Sequence, residues 1–319
     1  MEIHLPNSAF LGNIDPFLKS FRADRPGELK ITANKKWISV HPAVLCMVAS
    51  LGLIVPKGNV SCEKFEARSK HYFERMGLFN FLGVDSGIDV VEHEPAGRFI
   101  PITQIKSSEN LSSFLTDMVP LLHLEQQHAE TLRYIVSELV RNVLEHAETE
   151  HGAILAAQYY PKSNTIRIGI ADTGMGIRTS LGRSYSTDTN LEALRLALMP
   201  GVTGTTRREG GSEQNAGAGL FFIKSIARVN GDYFMIYSGD AMYKLLPKQG
   251  ARPGLRADPF QDRHTAHEGL PEWRGTLVGI DIKLDSTEKF SQLLSLIRNT
   301  YAEAIRERRR ARYKKPKFT

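Results

Sequence analysis

Three residues in the stretch SELVRNVLEHA, namely Glu138, Asn142 and His146, recur every four positions, so on a helix they project from one side. A carboxylate, an amide and an imidazole offer hydrogen-bonding and titratable groups on that side. A solvated polar flank has the same pattern. Downstream, ADTGMGI sets Asp172 ahead of Gly174 and Gly176. A carboxylate there can accept a hydrogen bond from an exocyclic amine, and glycines let the backbone turn sharply and lie close to a planar ligand. Any tight turn after a strand would look alike. A third piece, NAGAGL, puts Gly217 and Gly219 immediately before a helix. Free backbone N–H groups and the helix dipole favour a phosphate at such a place, although a plain glycine turn opening a helix reads the same way.

Each piece needs an element to hold it. Residues 131–147 carry Leu132, Ile135, Val136, Leu139, Val140, Val143 and Leu144 on one apolar stripe, which predicts an amphipathic helix with the polar triplet opposite. ILAAQYY and TIRIGIAD, separated by PKSN, predict an antiparallel hairpin that delivers Asp172 at a strand end. LFFIKSIARVN predicts the helix after NAGAGL, and YFMIYS and TLVGIDIKL predict strands. Asp285 and Glu288 form a capping box for a C-terminal helix with Phe290, Leu293, Leu294, Ile297 and Tyr301 inside. Residues 178–216 and 247–274, polar and Gly-containing, have no strong element of their own and read as a lid and an insertion.

Further upstream, residues 28–105 alternate short strand-like and helical segments, which predicts a small α/β sandwich. Its most apolar run, Ala43 to Val55, is broken by Ser50 and Gly52 and is shorter than the ~20 residues of a membrane helix. It reads as a buried helix. The Ser-rich stretch Ser107–Asn110 suggests a boundary, giving domains at 1–106 and 107–285 and a C-terminal helix with tail at 286–319. With 319 residues, 41% of them hydrophobic and 24% charged, the chain is compositionally globular, which excludes disorder and collagen-like repeats. Cys46 and Cys62 lack paired metal-ligand spacing and no signal-peptide pattern opens the chain, so a reducing cytoplasm is the expected compartment, with no membrane association. The net charge of +6 is unevenly placed: residues 306–319 hold eight basic residues and one acid, leaving the body close to neutral. That tail could contact nucleic acid or an acidic partner, or be a frayed, solvated terminus.

In this order the three pieces resemble the N, G1 and G2 boxes of the GHKL ATPase family, whose Bergerat fold is shared by histidine kinases, anti-sigma-factor kinases, type II topoisomerases and mismatch-repair ATPases. The resemblance spans residues 120–285, with Gly275-Thr276 similar to the closing motif. It implies an α/β (α+β) fold, a Bergerat-fold sandwich whose mixed sheet is covered by helices on one face. It also implies ATP and Mg²⁺ as cofactors. Asp172 would bind the adenine amine with support from Thr276, Asn142 would ligate Mg²⁺, and Glu138 would orient or deprotonate the attacking group. Gly174, Gly176, Gly217 and Gly219 would wrap the nucleotide, with Ile177 and Leu220 completing the binding set. His146 would touch phosphate or simply be solvated, and Arg207 and Arg208 would reach the γ-phosphate from the lid.

The closing EHA and the retained Glu138 look most like anti-sigma-factor serine kinases. WISVHPAVLCMVASL and ERMGLFNFLG are similar to STAS domains, the fold of those kinases' substrates, but Val40-His41-Pro42 stands where a phospho-acceptor would be expected. The N-terminal domain is therefore expected to be a scaffold that docks a partner protein. The implied function is a signalling protein kinase or nucleotide-dependent switch. The alternatives are an ATP-gated clamp acting on DNA and a non-catalytic nucleotide-binding adaptor. A homodimer is a further partner reading.

Overall fold

Apolar residues fill both side-chain registers of several strands, so the sheet they form must be covered twice. In the computed structural model, which describes residues 1–23, 27–88, 99–202, 219–247, 255–284 and 290–312, it is. The N-terminal region runs β1 (Glu2–Leu5), β2 (Ser8–Ala9), α1 (Asp15–Ser20), β3 (Leu29–Ala33), β4 (Ser39–Val40), α2 (Pro42–Ile54), β5 (Val60–Cys62), α3 (Lys70–Arg75) and α4 (Leu78–Leu82). Strands β1, β3 and β5 make a parallel sheet in that order, and β2 pairs with β4, also parallel.

The chain continues through β6 (Phe99–Ile105), α5 (Ser108–Ser113), α6 (Gln126–His146), β7 (Ala153–Tyr160) and β8 (Thr165–Ala171). Then come α7 (Gly176–Gly182), α8 (Asn190–Ala197), α9 (Gly219–Asn230), β9 (Phe234–Gly239), β10 (Ala241–Leu245), β11 (His264–His267), β12 (Trp273–Lys283) and α10 (Phe290–Arg312). Strands β6 to β12 build one sheet in the order β11-β10-β9-β12-β8-β7-β6. Every pairing in it is antiparallel, so it is not the mixed sheet that the resemblance implied. Short turns around 161–164 and at Asp240 join sequence neighbours side by side, which only antiparallel pairing allows.

Alternation splits the apolar residues of this sheet into two cores. Leu155, Ile168, Ile170, Ile236, Val278 and Ile280 face α6, α9 and α10, the helices of the sheet's own domain. Ile154, Ala156, Ala171, Met235, Tyr237 and Leu277 face the N-terminal region. Helix α2 lies against that second face. It is apolar all round and buried over ten residues, as expected of a core helix. It comes close because Gly169 and Gly279 are register neighbours on β8 and β12. A Cβ at Gly169 would sit 2.1 Å from the Ala43 nitrogen, and one at Gly279 would sit 2.8 Å from Leu11.

Three expectations shift. β6, placed at the end of the first domain, pairs with β7 and is an edge of the large sheet, so a boundary at 106 separates a strand from its ladder. The segment read as a lid contains α7 and α8 before the described residues pause at 202, and the segment read as an insertion contains β11. The capping box at Asp285 and Glu288 lies outside the described residues.

Candidate functional site

Helix α6 packs its apolar stripe onto the sheet, and this aims Glu138, Asn142 and His146 along the rim of a cleft. The opposite rim is the start of α7 and the floor is formed by Ile170 and Val278 from the middle of the sheet. Asp172, Gly176, Ile177, Gly219, Leu220 and Thr276 line the same cleft. Gly217, Arg207 and Arg208 lie outside the described residues. Gly174 does not line the cleft. A Cβ there would sit 2.1 Å from the Ala147 oxygen, so this glycine lets the loop after β8 press against the end of α6, where the Met175 N–H donates to Ala147 O at 2.8 Å.

Asp172 is 3% exposed. Its Oδ1 accepts from the Gly174 N–H at 2.8 Å, and its own N–H donates to Thr276 O at 2.9 Å. Burial raises the carboxyl pKa to about 6 against the opposing pull of hydrogen bonds to the carboxyl from the Gly174 N–H and from the backbone and side chain of Thr276. The carboxylate is thus anchored at one oxygen beside an open cavity.

At the other end, α9 begins against α6. A Cβ at Gly219 would meet Glu138 Oε2 at 2.8 Å and Asn142 Nδ2 at 3.5 Å, which places the start of α9 directly against these two side chains. Asn142 Nδ2 is buried and has no hydrogen-bond partner among the described residues. Burial also raises the Glu138 pKa; Arg141 opposes that shift and Glu145 adds to it. His146 Nε2 stands 4.0 Å from Glu145 Oε2 at the cleft rim. Among the described residues no group of three or more His, Cys, Asp or Glu is arranged to hold a metal ion. The oxygen donors here are sparse, which suits an ion that keeps most of its waters.

One residue escaped the sequence reading. Ser238, buried on β9, accepts from the Ile177 N–H at 3.0 Å and donates to Gly275 O at 2.6 Å. It ties the first turn of α7 to the strand carrying Thr276. The available signal was a lone hydroxyl in register with Phe234 and Ile236, at a position where the alternation calls for an apolar side chain.

No curated protein matches the chain. A family model does: β6 through α9, residues 104–230, match the histidine kinase-like ATPase domain.

Proposed function

We propose that the cleft binds ATP with Mg²⁺ and that the protein is a nucleotide-dependent regulator, in its catalytic form a protein kinase. The observation that carries this is Asp172, a buried carboxylate that lines the cavity, held at Oδ1 by the Gly174 N–H, and facing the same cleft as the α9 N-terminus. That pair of features suits a ligand with an amine-bearing ring at one end and phosphates at the other. The match over residues 104–230 supports the same reading.

In this reading Asp172 accepts a hydrogen bond from the adenine amine, Thr276 supports it, and the phosphates lie towards Gly219 and Asn142. The Asn142 amide would hold Mg²⁺, which when bound would supply positive charge to neutralise the phosphates. Glu138 takes the proton of the attacking hydroxyl as that oxygen bonds to the γ-phosphorus, and ADP leaves with the electron pair of the broken bond. Its raised proton affinity suits a general base. The retained carboxylate favours the serine-directed kinase branch, with the STAS-like N-terminal region docking the partner protein.

A fluorescent ATP analogue titrated into the wild type and Asp172→Asn tests the binding half. The substitution should weaken affinity about tenfold, or ~1.4 kcal/mol; unchanged affinity overturns the proposal. For the chemical half, Glu138→Ala should keep the analogue's affinity within a small factor and slow turnover by about 10²-fold. Turnover that survives intact removes Glu138 from the mechanism, and the absence of turnover in the wild type with any partner leaves a binding adaptor.

A further inference from the structure

We propose that α10 is a regulatory bar that binds the phosphate backbone of nucleic acid at its basic end and transmits that occupancy to the cleft. The proposal uses the nucleotide reading above only for one of its readouts. The inner stripe of α10 does not merely cover the sheet. The Tyr301 ring lies 6.2 Å from Phe221 and 6.0 Å from Phe222, centroid to centroid, and Phe222 in turn lies 6.3 Å from Tyr134 on α6. Phe221 follows directly on Gly219 and Leu220, which line the cleft, and Tyr134 precedes Glu138 by one helical turn. One turn further along α10, Ile305 reaches the other flank. Gly201 has φ +74°, and a Cβ there would meet Ile305 Cδ1 at 2.3 Å and the Tyr301 hydroxyl at 3.6 Å. Its neighbour Val202 is again a cleft residue. A single helix thus touches the chain immediately beside the cleft on both the α8 side and the α9 side.

The outer face of the same helix carries exposed Arg298, Arg306 and Arg310, with exposed Glu303 and Glu307 among them. The sequence from 306 to 319 holds eight basic residues against one acid, while the rest of the chain is nearly neutral. Apolar residues are scarce in that stretch, with only Ala311, Tyr313, Pro316 and Phe318 apart from the polar and charged ones. An acidic protein would need an apolar anchor to dock stably, whereas a phosphate backbone needs cations alone. The charge pattern therefore favours nucleic acid bound without regard to sequence. Binding there would restrain α10, and Tyr301 and Ile305 would pass the restraint to both flanks of the cleft. Linkage makes the effect reciprocal: nucleotide would change nucleic-acid affinity by the same factor.

The test uses the full chain, a labelled DNA duplex of about 20 base pairs, polyglutamate as a protein-like polyanion, and a fluorescent ATP analogue. The wild type should bind the duplex in a salt-dependent manner, and the duplex should shift the analogue's affinity about fivefold. Arg306→Glu combined with Arg310→Glu should lose both effects. Tyr301→Leu, which keeps an apolar side chain in the stripe, should keep duplex binding and lose the shift. Duplex binding that survives the charge reversals overturns the proposal, as does a shift that survives Tyr301→Leu or an equal shift from polyglutamate. Should the analogue fail to bind at all, the nucleotide reading falls alone. Amide exchange over 219–230 then reads the coupling: the duplex should slow it in the wild type and not in Tyr301→Leu, and no change in the wild type sinks the bar.

Discussion

Asp172 carries a cost to the fold. A carboxyl held at a pKa of about 6, against about 3.9 in an unfolded chain, binds protons more readily when folded. Its contribution to stability is therefore present at low pH and is lost as pH rises through about 6, so at neutral pH the ionised group destabilises the fold. Replacing it with Asn, which still accepts from the Gly174 N–H, should raise the ligand-free stability by about 1–3 kcal/mol while lowering nucleotide affinity. Thermal unfolding and analogue titration on one preparation check both signs, and a variant that loses stability and affinity together would mark the residue as structural. Affinity in the wild type should also fall as the buffer is taken below about pH 6, where the carboxylate takes up its proton. Asp172→Asn should lack that limb. Ser238 acts by positioning: Ser238→Ala leaves the Ile177 N–H and Gly275 C=O unpaired and should cost about 1–3 kcal/mol of stability.

At the scale of elements, the decisive feature is the close approach of α2 to β8 and β12. Gly279→Val would drive a branched side chain into Leu11 and Ala43, and overpacking of this kind costs about 1–3 kcal/mol or more. Chemical denaturation should show the loss; a neutral result would mean that α2 is loosely seated. The sequence made α6 legible because its stripe is a local, repeated pattern, and it placed Asp172 because a hairpin ends there by local turn chemistry. The docking of α2 was hidden, although ILAAQYY is apolar in both registers and so already asked for cover on two faces. What cannot be read locally is which segment supplies the cover. His41 and Asp281 stand 240 positions apart and meet only in the folded chain. The same holds for Ser238, whose two partners come from a helix and a strand far from it in sequence.

In the whole molecule β12 connects the two halves. Thr276 and Val278 point to the cleft, while Leu277, Gly279 and Asp281 point to the N-terminal region. There His41, fully buried, places Nε2 3.0 Å from Asp281 Oδ1 and accepts the Ala43 N–H on Nδ1 at 3.0 Å, which fixes the proton on Nε2. Arg167 completes the cluster, 3.6 Å from the same carboxylate, with its guanidinium carbon 4.3 Å from the Phe10 ring centroid and 4.1 Å from that of Tyr160. Burial lowers the His41 pKa, with Asp281 pulling the other way. An unfolded chain therefore takes up a proton at this histidine before the folded one does, so the stability it lends is present above about pH 6.5 and lost as pH falls below it. Asp172 slopes oppositely over part of that range, and the comparison belongs in the Asp172→Asn background. There, calorimetry from about pH 7.5 down to about pH 5 should show one falling transition for the whole chain, and adding His41→Gln should flatten the fall while lowering the starting value. Two separate transitions, with only one responding to pH, would mean that the N-terminal region and the seven-stranded sheet fold independently and that the cluster at Asp281 does not join them.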